Sequence, residues 1–298
     1  MNYDRTKSIG SSDVAAIFNE SPWISPYELW REKIGQPLRH RHSKAMDEGR
    51  KAEKYILQRF CDDYGMSIKR YTEPIFHADY PWLSTTPDGI GPMAAKVEHL
   101  FAGKEVYVEA KRVSRQAFKS HDWGEEGTDE IPKYYVMQGQ HGLFVSGLQH
   151  AVYPVSVDGD HKEFLLERNS KLQAVMLDGC KQFWDMVKQK KEPAIDWNDD
   201  RIKEVSKYIY TPEPGKVCEL SKETSSLAKQ YNFLQQRIKV AEDEKKRVKI
   251  LLEKAMENAE LGMGDGVEIV RKIQNRKGFT VAATSFPTLN VKLIKGIE

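Results

Sequence analysis

Cysteine is scarce in this chain. Three cysteines, Cys61, Cys180 and Cys218, are scattered through 298 residues. An odd, dispersed set supports neither a disulfide framework nor a CxxC metal knuckle, and it falls short of the four ligands that an iron–sulfur cluster needs. Long apolar runs are missing as well: none approaches the length of a bilayer span, and Met1-Asn2-Tyr3-Asp4-Arg5 lacks the hydrophobic stretch of a secretory signal. The expectation is a protein of a reducing compartment such as the cytoplasm, with no membrane partner. There is also no excess of one charge. Forty-six Lys and Arg against 44 Asp and Glu leave a net charge of +2, so nucleic-acid binding cannot be read from the total and has to rest on local clusters. Two are visible, Arg39-His40-Arg41-His42-Ser43-Lys44 and Lys111-Arg112 with Arg115 and Lys119. No internal repeat is evident.

What is present suffices for a large core: 40% hydrophobic residues and six tryptophans. Ser11-Ser12-Asp13 before Val14–Phe18 reads as a helix start with capping hydroxyls. A second helix starts at Ser25-Pro26 and stops before Gly35, and a third runs from about Ala45 to Tyr64 with Ile56, Leu57 and Phe60 facing a core. Tyr71–Phe76, Leu83–Thr86 and Glu105–Ala110 read as strands, with a loop or hairpin over Gly89–Lys104. Ile131-Pro132 introduces a helix through Gln138 and Leu143. Ala151–Val157 and Lys162–Leu166 pair across Asp158-Gly159-Asp160, and a helix follows from about Ser170 to Lys190. This order predicts an α/β (α+β) fold, a mixed central sheet flanked by helices.

The last third changes character. From Leu227, positions alternate in steps of four and three through Tyr231, Leu234, Ile238, Ala241, Lys245, Val248, Leu252, Ala255 and Ala259, a heptad seam with one charged interruption. The expectation is a long helix, either a coiled coil or an amphipathic helix lying on the body. Gly262–Gly266 stops it, and Val267–Ile273 and Asn290–Ile294 are expected to form a small β appendage.

The chemistry centres on Thr86-Pro87-Asp88-Gly89 and Val106-Tyr107-Val108-Glu109-Ala110-Lys111. In a strand over Val106–Lys111, alternation puts Glu109 and Lys111 on one face and Ala110 on the other. Two carboxylates can then hold a divalent ion while the ammonium reaches a water or a phosphate. Glu53 offers a third carboxylate, Ser12 lies at a helix start where a phosphate can be held, and Gln138 is a polar residue on an otherwise apolar helix. Taken singly, each reads as structural: Ser12 as a cap, Glu53 as a surface residue and Gln138 as a satisfied half-buried amide.

Together these residues resemble a family pattern. Ile9-Gly10-Ser11-Ser12-Asp13, Ser21-Pro22-Trp23, Pro26-Tyr27-Glu28-Leu29-Trp30, Gly49 with Glu53, Thr86-Pro87-Asp88-Gly89, Val108-Glu109-Ala110-Lys111, Trp123, Ile131-Pro132, Tyr135, Gln138-Gly139-Gln140-His141 and Phe183-Trp184 resemble the YqaJ-like viral recombinases. These are the lambda-exonuclease-like members of the PD-(D/E)xK nucleases. The resemblance covers residues 5–195, about two thirds of the chain.

It implies a restriction-endonuclease-like core in an exonuclease domain over residues 1–212, with residues 213–298 as an extension of unassigned role. The implied activity is Mg²⁺-dependent 5′-to-3′ digestion of one strand of linear double-stranded DNA for phage-type recombination. Two ions are implied, with Mn²⁺ as a substitute. By the same resemblance Asp88, Glu109 and the Ala110 carbonyl are metal ligands, Lys111 orients or deprotonates the attacking water, and Glu53 serves a second metal directly or through water. Arg5, Ser12, Thr86 and Gln138 would form a 5′-phosphate pocket, Arg5 by spacing alone. The implied partners are duplex DNA ends, a trimeric ring of identical subunits and a single-strand annealing protein. Two departures stand out: the Asp88–Glu109 connection is longer than the minimal pattern, and the C-terminal extension has no counterpart. Other readings are a structure-specific or site-specific endonuclease of the same superfamily, or a non-catalytic DNA-binding module.

Overall fold

The computed structural model describes residues 3–39, 43–95, 99–209 and 212–273. The chain divides into two units, Met1–Ile209 and Tyr210–Glu298. Among the described residues no helix is long and apolar enough to cross a membrane.

The first unit begins with β1 (Ile9–Gly10), a 3-10 turn over Ser11–Asp13, α1 (Val14–Ile17), α2 (Pro26–Lys33) and α3 (Lys44–Tyr64). The hydroxyls expected to cap α1 are used elsewhere; it is the Asp13 carboxylate that accepts the Gly10 N–H at 2.9 Å. Helix α2 opens with a true capping box, Ser25 and Glu28 bonding reciprocally with Pro26 in the first turn. Ser43 caps α3 through the Met46 N–H, and Gly65, at φ 58°, ends it.

Then follow β2 (Ile75–Phe76), β3 (Leu83–Thr85), β4 (Gly89–Pro92), β5 (Glu105–Val108), β6 (Lys111–Val113), α4 (Arg115–Ser120), α5 (Lys133–Ser146), β7 (His150–Val157), β8 (Asp160–Glu167), α6 (Ser170–Gln189) and α7 (Asp200–Ile209). The strand expected from Tyr71 shrinks to two residues, because only Ile75 and Phe76 find partners in β3. The expected loop or hairpin after Gly89 is an antiparallel hairpin, with Gly89 opposite Val108 and Pro92 opposite Glu105. Strands β7 and β8 pair antiparallel through Asp158 and Gly159, both at positive φ, as a two-residue hairpin requires.

The central sheet runs β4-β5-β7, with β6 continuing β5 along the same edge of β7 and β8 on the other edge. Strands β5 and β6 are parallel to β7, while β4 and β8 are antiparallel to their neighbours. This is the mixed sheet the sequence predicts. Helices cover both faces. Val106 and Val108 pack with Leu57 and Phe60 of α3, and Tyr107 packs with Leu143 of α5, Ala151 and Tyr153. A third cluster joins α1, α2 and α6 through Val14, Leu29, Met176 and Phe183.

Helix α5 lies unusually close to the sheet. A Cβ on Gly139 would stand 2.4 Å from the Tyr153 hydroxyl, and one on Gly142 would stand 2.6 Å from the Tyr107 ring. Both distances are inside van der Waals contact, so only glycine lets the helix settle there.

The second unit contains α8 (Lys222–Met256), capped by Ser221, and a hairpin of β9 (Leu261–Gly264) and β10 (Val267–Val270). The stretch expected to stop the helix thus contributes a strand of its own, turning at Asp265 and Gly266, both at positive φ. Met256 is buried, and Arg271 donates to the Glu257 carbonyl at 2.7 Å, tying the hairpin to the end of α8. The expected strand Asn290–Ile294 lies outside the described residues.

Candidate active site

The site is built where one strand is interrupted. The expected continuous strand Val106–Lys111 is two strands, with Glu109 and Ala110 between them. The register with β7 is unchanged across the gap, Val108 opposite Val152 and Lys111 opposite Val155. No residue is inserted. Glu109 N–H still reaches the Val152 carbonyl at 3.0 Å. Ala110 N–H turns the other way and donates to Asp88 Oδ2 at 2.8 Å. Because Gly89 pairs with Val108, the antiparallel hairpin carries Asp88 alongside Glu109. Alternation then holds: Tyr107, Glu109 and Lys111 share the α5 face.

Glu109 is nearly buried, at 6% exposure, and its carboxylate is crowded. Oε1 accepts from Lys111 Nζ at 2.9 Å and from Gln138 Nε2, and Oε2 accepts from the Tyr107 hydroxyl at 3.3 Å. Lys111 Nζ also donates to Gln138 Oε1 at 3.2 Å and sits 4.7 Å from the centre of the Tyr135 ring, a cation–π distance. Burial, and then the neighbouring Glu109, push the Asp88 carboxyl well above the usual carboxylate range, against the opposing pull of Lys111 and the Ala110 N–H. For Lys111 burial works against the charge, but Glu109, Tyr135 and Asp88 outweigh it, and the ammonium is held more firmly than that of a free lysine.

The donor set suits a hard divalent cation. Asp88, Glu109 and the Ala110 carbonyl offer only oxygen, and two buried carboxylates with Asp88 driven toward its neutral form are a place where added positive charge is favoured. The third carboxylate is not brought in. Glu53, on α3, forms an ion pair with Arg70, although it lies near enough to add to the upward push on Asp88. Among the described residues no group of three or more His, Cys, Asp or Glu side chains gathers at metal-ligand spacing.

Next to the carboxylates is a cavity of about 270 Å³. Arg5, Ser12, Thr86 and Gln138 all line it, so the four residues expected to contact a terminal phosphate border one cavity. Arg5 Nη2 donates to Ser12 Oγ and to Asp13 Oδ1, both at 3.0 Å. The sequence reading missed Lys33 and gave Asp13 no role in the pocket. Lys33, at the end of α2, is buried and donates to Asp13 Oδ2 at 2.6 Å, Ser8 O at 2.7 Å and Arg5 O at 2.8 Å. Burial alone would raise the Asp13 carboxyl, but Lys33 and Arg5 reverse this and hold it far below the carboxylate range. No spacing rule announces Lys33, because the pair forms only when α2 packs beside the 3-10 turn.

The cavity and the carboxylates are joined twice. Gln138 belongs to both. A chain of hydroxyls also runs from Ser11 to Thr85 at 2.8 Å, Thr85 to Tyr107 at 2.8 Å and Tyr107 to Glu109. The basic clusters are less available than the sequence suggests. Arg39 pairs with Glu28 and Glu204, Arg112 with Glu48 and Arg115 with Asp160, while His40, Arg41 and His42 lie outside the described residues.

Comparison with known proteins shows what the chain is similar to. Residues 2–149 match the model of the YqaJ-like viral recombinase domain. The uncharacterized protein YqaJ of Bacillus subtilis (strain 168) is 26% identical over an alignment of 301 positions, covering 98% of this chain and 89% of the relative. An uncharacterized protein of Acanthamoeba polyphaga mimivirus is 23% identical over 219 residues, and that match spans 38% of the relative's length. Among solved structures, the alkaline exonuclease LHK-Exo of Laribacter hongkongensis superposes with a TM-score of 0.48 at 17% identity, covering 62% of this chain and 90% of that one. A phage-related exonuclease of Haemophilus somnus 129PT gives a TM-score of 0.45 at 12% identity, over 61% and 96% of the two chains.

Proposed function

We propose that this chain, which carries a YqaJ-like viral recombinase domain over residues 2–149, is a metal-dependent exonuclease that digests one strand of linear double-stranded DNA from its 5′ end. The observation that carries this reading is the junction at Gln138, one side chain bonded to Glu109 and Lys111 while lining the Arg5 cavity. A site with carboxylates and an ammonium can hydrolyse a phosphodiester anywhere along a strand. A cationic, hydroxyl-lined cavity directly beside it favours a strand that ends there, because a terminal phosphate carries more charge than an internal one.

Asp88, Glu109 and the Ala110 carbonyl would hold Mg²⁺, with Mn²⁺ as a substitute. When bound, the metal supplies Lewis-acid stabilisation of the developing charge and a more acidic water. Glu53 would join a second ion only after leaving Arg70. The protein's own groups do the rest. Lys111, held protonated, donates toward a phosphate oxygen or the attacking water and offsets added negative charge. Tyr107 and Gln138 fix the orientation of the Glu109 carboxylate. Arg5, Ser12 and Thr86 receive the terminal phosphate, and the buried Asp13–Lys33 pair holds the Arg5 end of the pocket in place. The strand left with a 3′ end is the substrate class of a single-strand annealing protein.

The test is nucleotide release from linear duplex carrying a 5′-phosphate. Release should require a divalent metal, stop with EDTA and spare covalently closed circular DNA. Cleavage of the closed circle would point instead to an endonuclease.

A further inference from the structure

Glu53 is the carboxylate of the expected site that stands apart, and Arg70 is what holds it. Glu53 rides on α3 one turn before Ile56 and Leu57, both buried, so it lies on the face of the helix turned toward the sheet. Its charge is felt at Asp88. Arg70 arrives from the other side. Lys69 and Ile90 exchange both backbone bonds, at 2.7 and 3.0 Å, as an antiparallel pair does. One residue further along each segment are Arg70 and Gly89, and Asp88 is the next residue. The backbone here has no slack. A Cβ on Gly91 would stand 2.2 Å from the Ser67 carbonyl oxygen, and one on Gly89 would stand 2.6 Å from Ile68. The Arg70 main chain is thus pinned beside the site, and only its side chain can change partner.

Both ends of the ion pair reach solvent, the Arg70 side chain at 44% and that of Glu53 at 28%. A pair exposed to this degree contributes about fivefold or less to an equilibrium, so a better partner displaces it. For a guanidinium that partner is a phosphate, whose oxygens its planar fork meets two at a time. For a carboxylate beside Asp88 it is a hard divalent cation. While the guanidinium stays on Glu53, its charge also repels an incoming cation.

We propose that Arg70 is a substrate-operated latch on the second metal site. Without DNA it holds Glu53. A backbone phosphate of the bound strand takes the guanidinium, and Glu53 turns toward Asp88 as a ligand for the second ion. This latch rests on the nuclease reading, and it makes completion of the two-ion site depend on a strand in place.

Electron paramagnetic resonance of free Mn²⁺ counts the ions held by the full chain without DNA. Wild type is expected to hold one, on Asp88 and Glu109, in the concentration range where Arg70→Gln holds two. The second site should tighten about fivefold or more in that variant, and adding Glu53→Gln should return the count to one. Affinity for a 5′-phosphorylated duplex, measured in EDTA across a salt series, tests the other half. Arg70→Gln should lower the slope of log affinity against log salt by about one. Glu53→Gln should tighten duplex binding, and more so with Arg70 present than with Arg70→Gln. The latch is overturned by a wild type that already holds two ions without DNA or by an Arg70→Gln protein that still holds one. An unchanged salt slope, or equal tightening by Glu53→Gln in both backgrounds, overturns it as well. A wild type that holds no Mn²⁺ overturns the nuclease reading itself, and the latch with it.

Discussion

Gln138 donates to the Glu109 carboxylate while its amide oxygen accepts from Lys111, and the same side chain lines the Arg5 cavity. One residue therefore orients the groups proposed to carry hydrolysis and borders the place where a strand end would sit. Gln138→Ala is expected to lower kcat by about ten- to a hundredfold and also to reduce the preference for 5′-phosphorylated ends. Gln138→Glu should do worse, because it adds a third carboxylate next to Asp88 and Glu109. Rates on phosphorylated and unphosphorylated duplex, measured side by side, check both effects. A Gln138→Ala enzyme that loses end preference at full kcat would remove its hydrolytic role.

Arg5 donates to the Ser12 hydroxyl at 3.0 Å in the lining of the cavity. Arg5→Ala should abolish most of the discrimination for a 5′-phosphate while leaving Mg²⁺ affinity unchanged; equal loss on both end types counts against the pocket. Asp13→Ala should behave differently. It leaves the buried Lys33 ammonium without its carboxylate, a kind of loss that costs about 3–5 kcal/mol. Thermal or urea unfolding will separate the two, with Arg5→Ala near wild type and Asp13→Ala strongly destabilised.

Gly142 allows α5 to approach Tyr107. Gly142→Ala gains helix propensity but forces a methyl into the ring, and the overpacking should dominate by about 1–3 kcal/mol. Moving α5 also moves Gln138, so activity should fall more than stability predicts. A stable, fully active Gly142→Ala protein would show that the close approach is not required.

Asp88 gives a pH signature in the metal-free protein. Its carboxyl is raised in the fold, to about 8, so the folded state binds more protons than the unfolded one between the ordinary carboxylate range and that value. Stability contributed at this position therefore falls as pH rises through the window. Asp88→Asn keeps an acceptor for the Ala110 N–H and cannot ionise. It should match wild type near pH 4 and exceed it near pH 9, by an amount on the order of 1–3 kcal/mol, while losing activity. Urea midpoints across that pH range in EDTA measure the difference; a constant offset would contradict the account. Adding Mg²⁺ at pH 9 should reverse the order, since only wild type gains from binding.

Much of this was legible in the sequence, and the misses have physical causes. Alternation placed Glu109 and Lys111 on one face, and the Ile131-Pro132 start put Gln138 on a helix. What alternation cannot show is which acceptor a backbone N–H meets, so the Asp88 carboxylate on the Ala110 amide and the split strand were invisible. The Arg70 partner of Glu53 and the Asp13–Lys33 pair depend on elements far apart in sequence meeting in space. Helix α7 and the C-terminal hairpin are different, because their signals were present. Ile202, Val205 and Ile209 are buried at helical spacing, and Asp265-Gly266 is a hairpin turn signal. In the latter case the surrounding glycines also fit a helix stop, and that reading prevailed.

The central claim is that Asp88 and Glu109 form a metal cage while Lys111 acts on the water or the phosphate without holding the metal. Calorimetric titration of Mg²⁺ into Lys111→Ala, paired with nucleotide release from 5′-phosphorylated linear duplex, tests it most directly. Removing an ammonium from beside two carboxylates should leave Mg²⁺ affinity equal or tighter, while nucleotide release falls below detection. A Lys111→Ala protein that no longer binds Mg²⁺, or that still digests duplex at the wild-type rate, would contradict it.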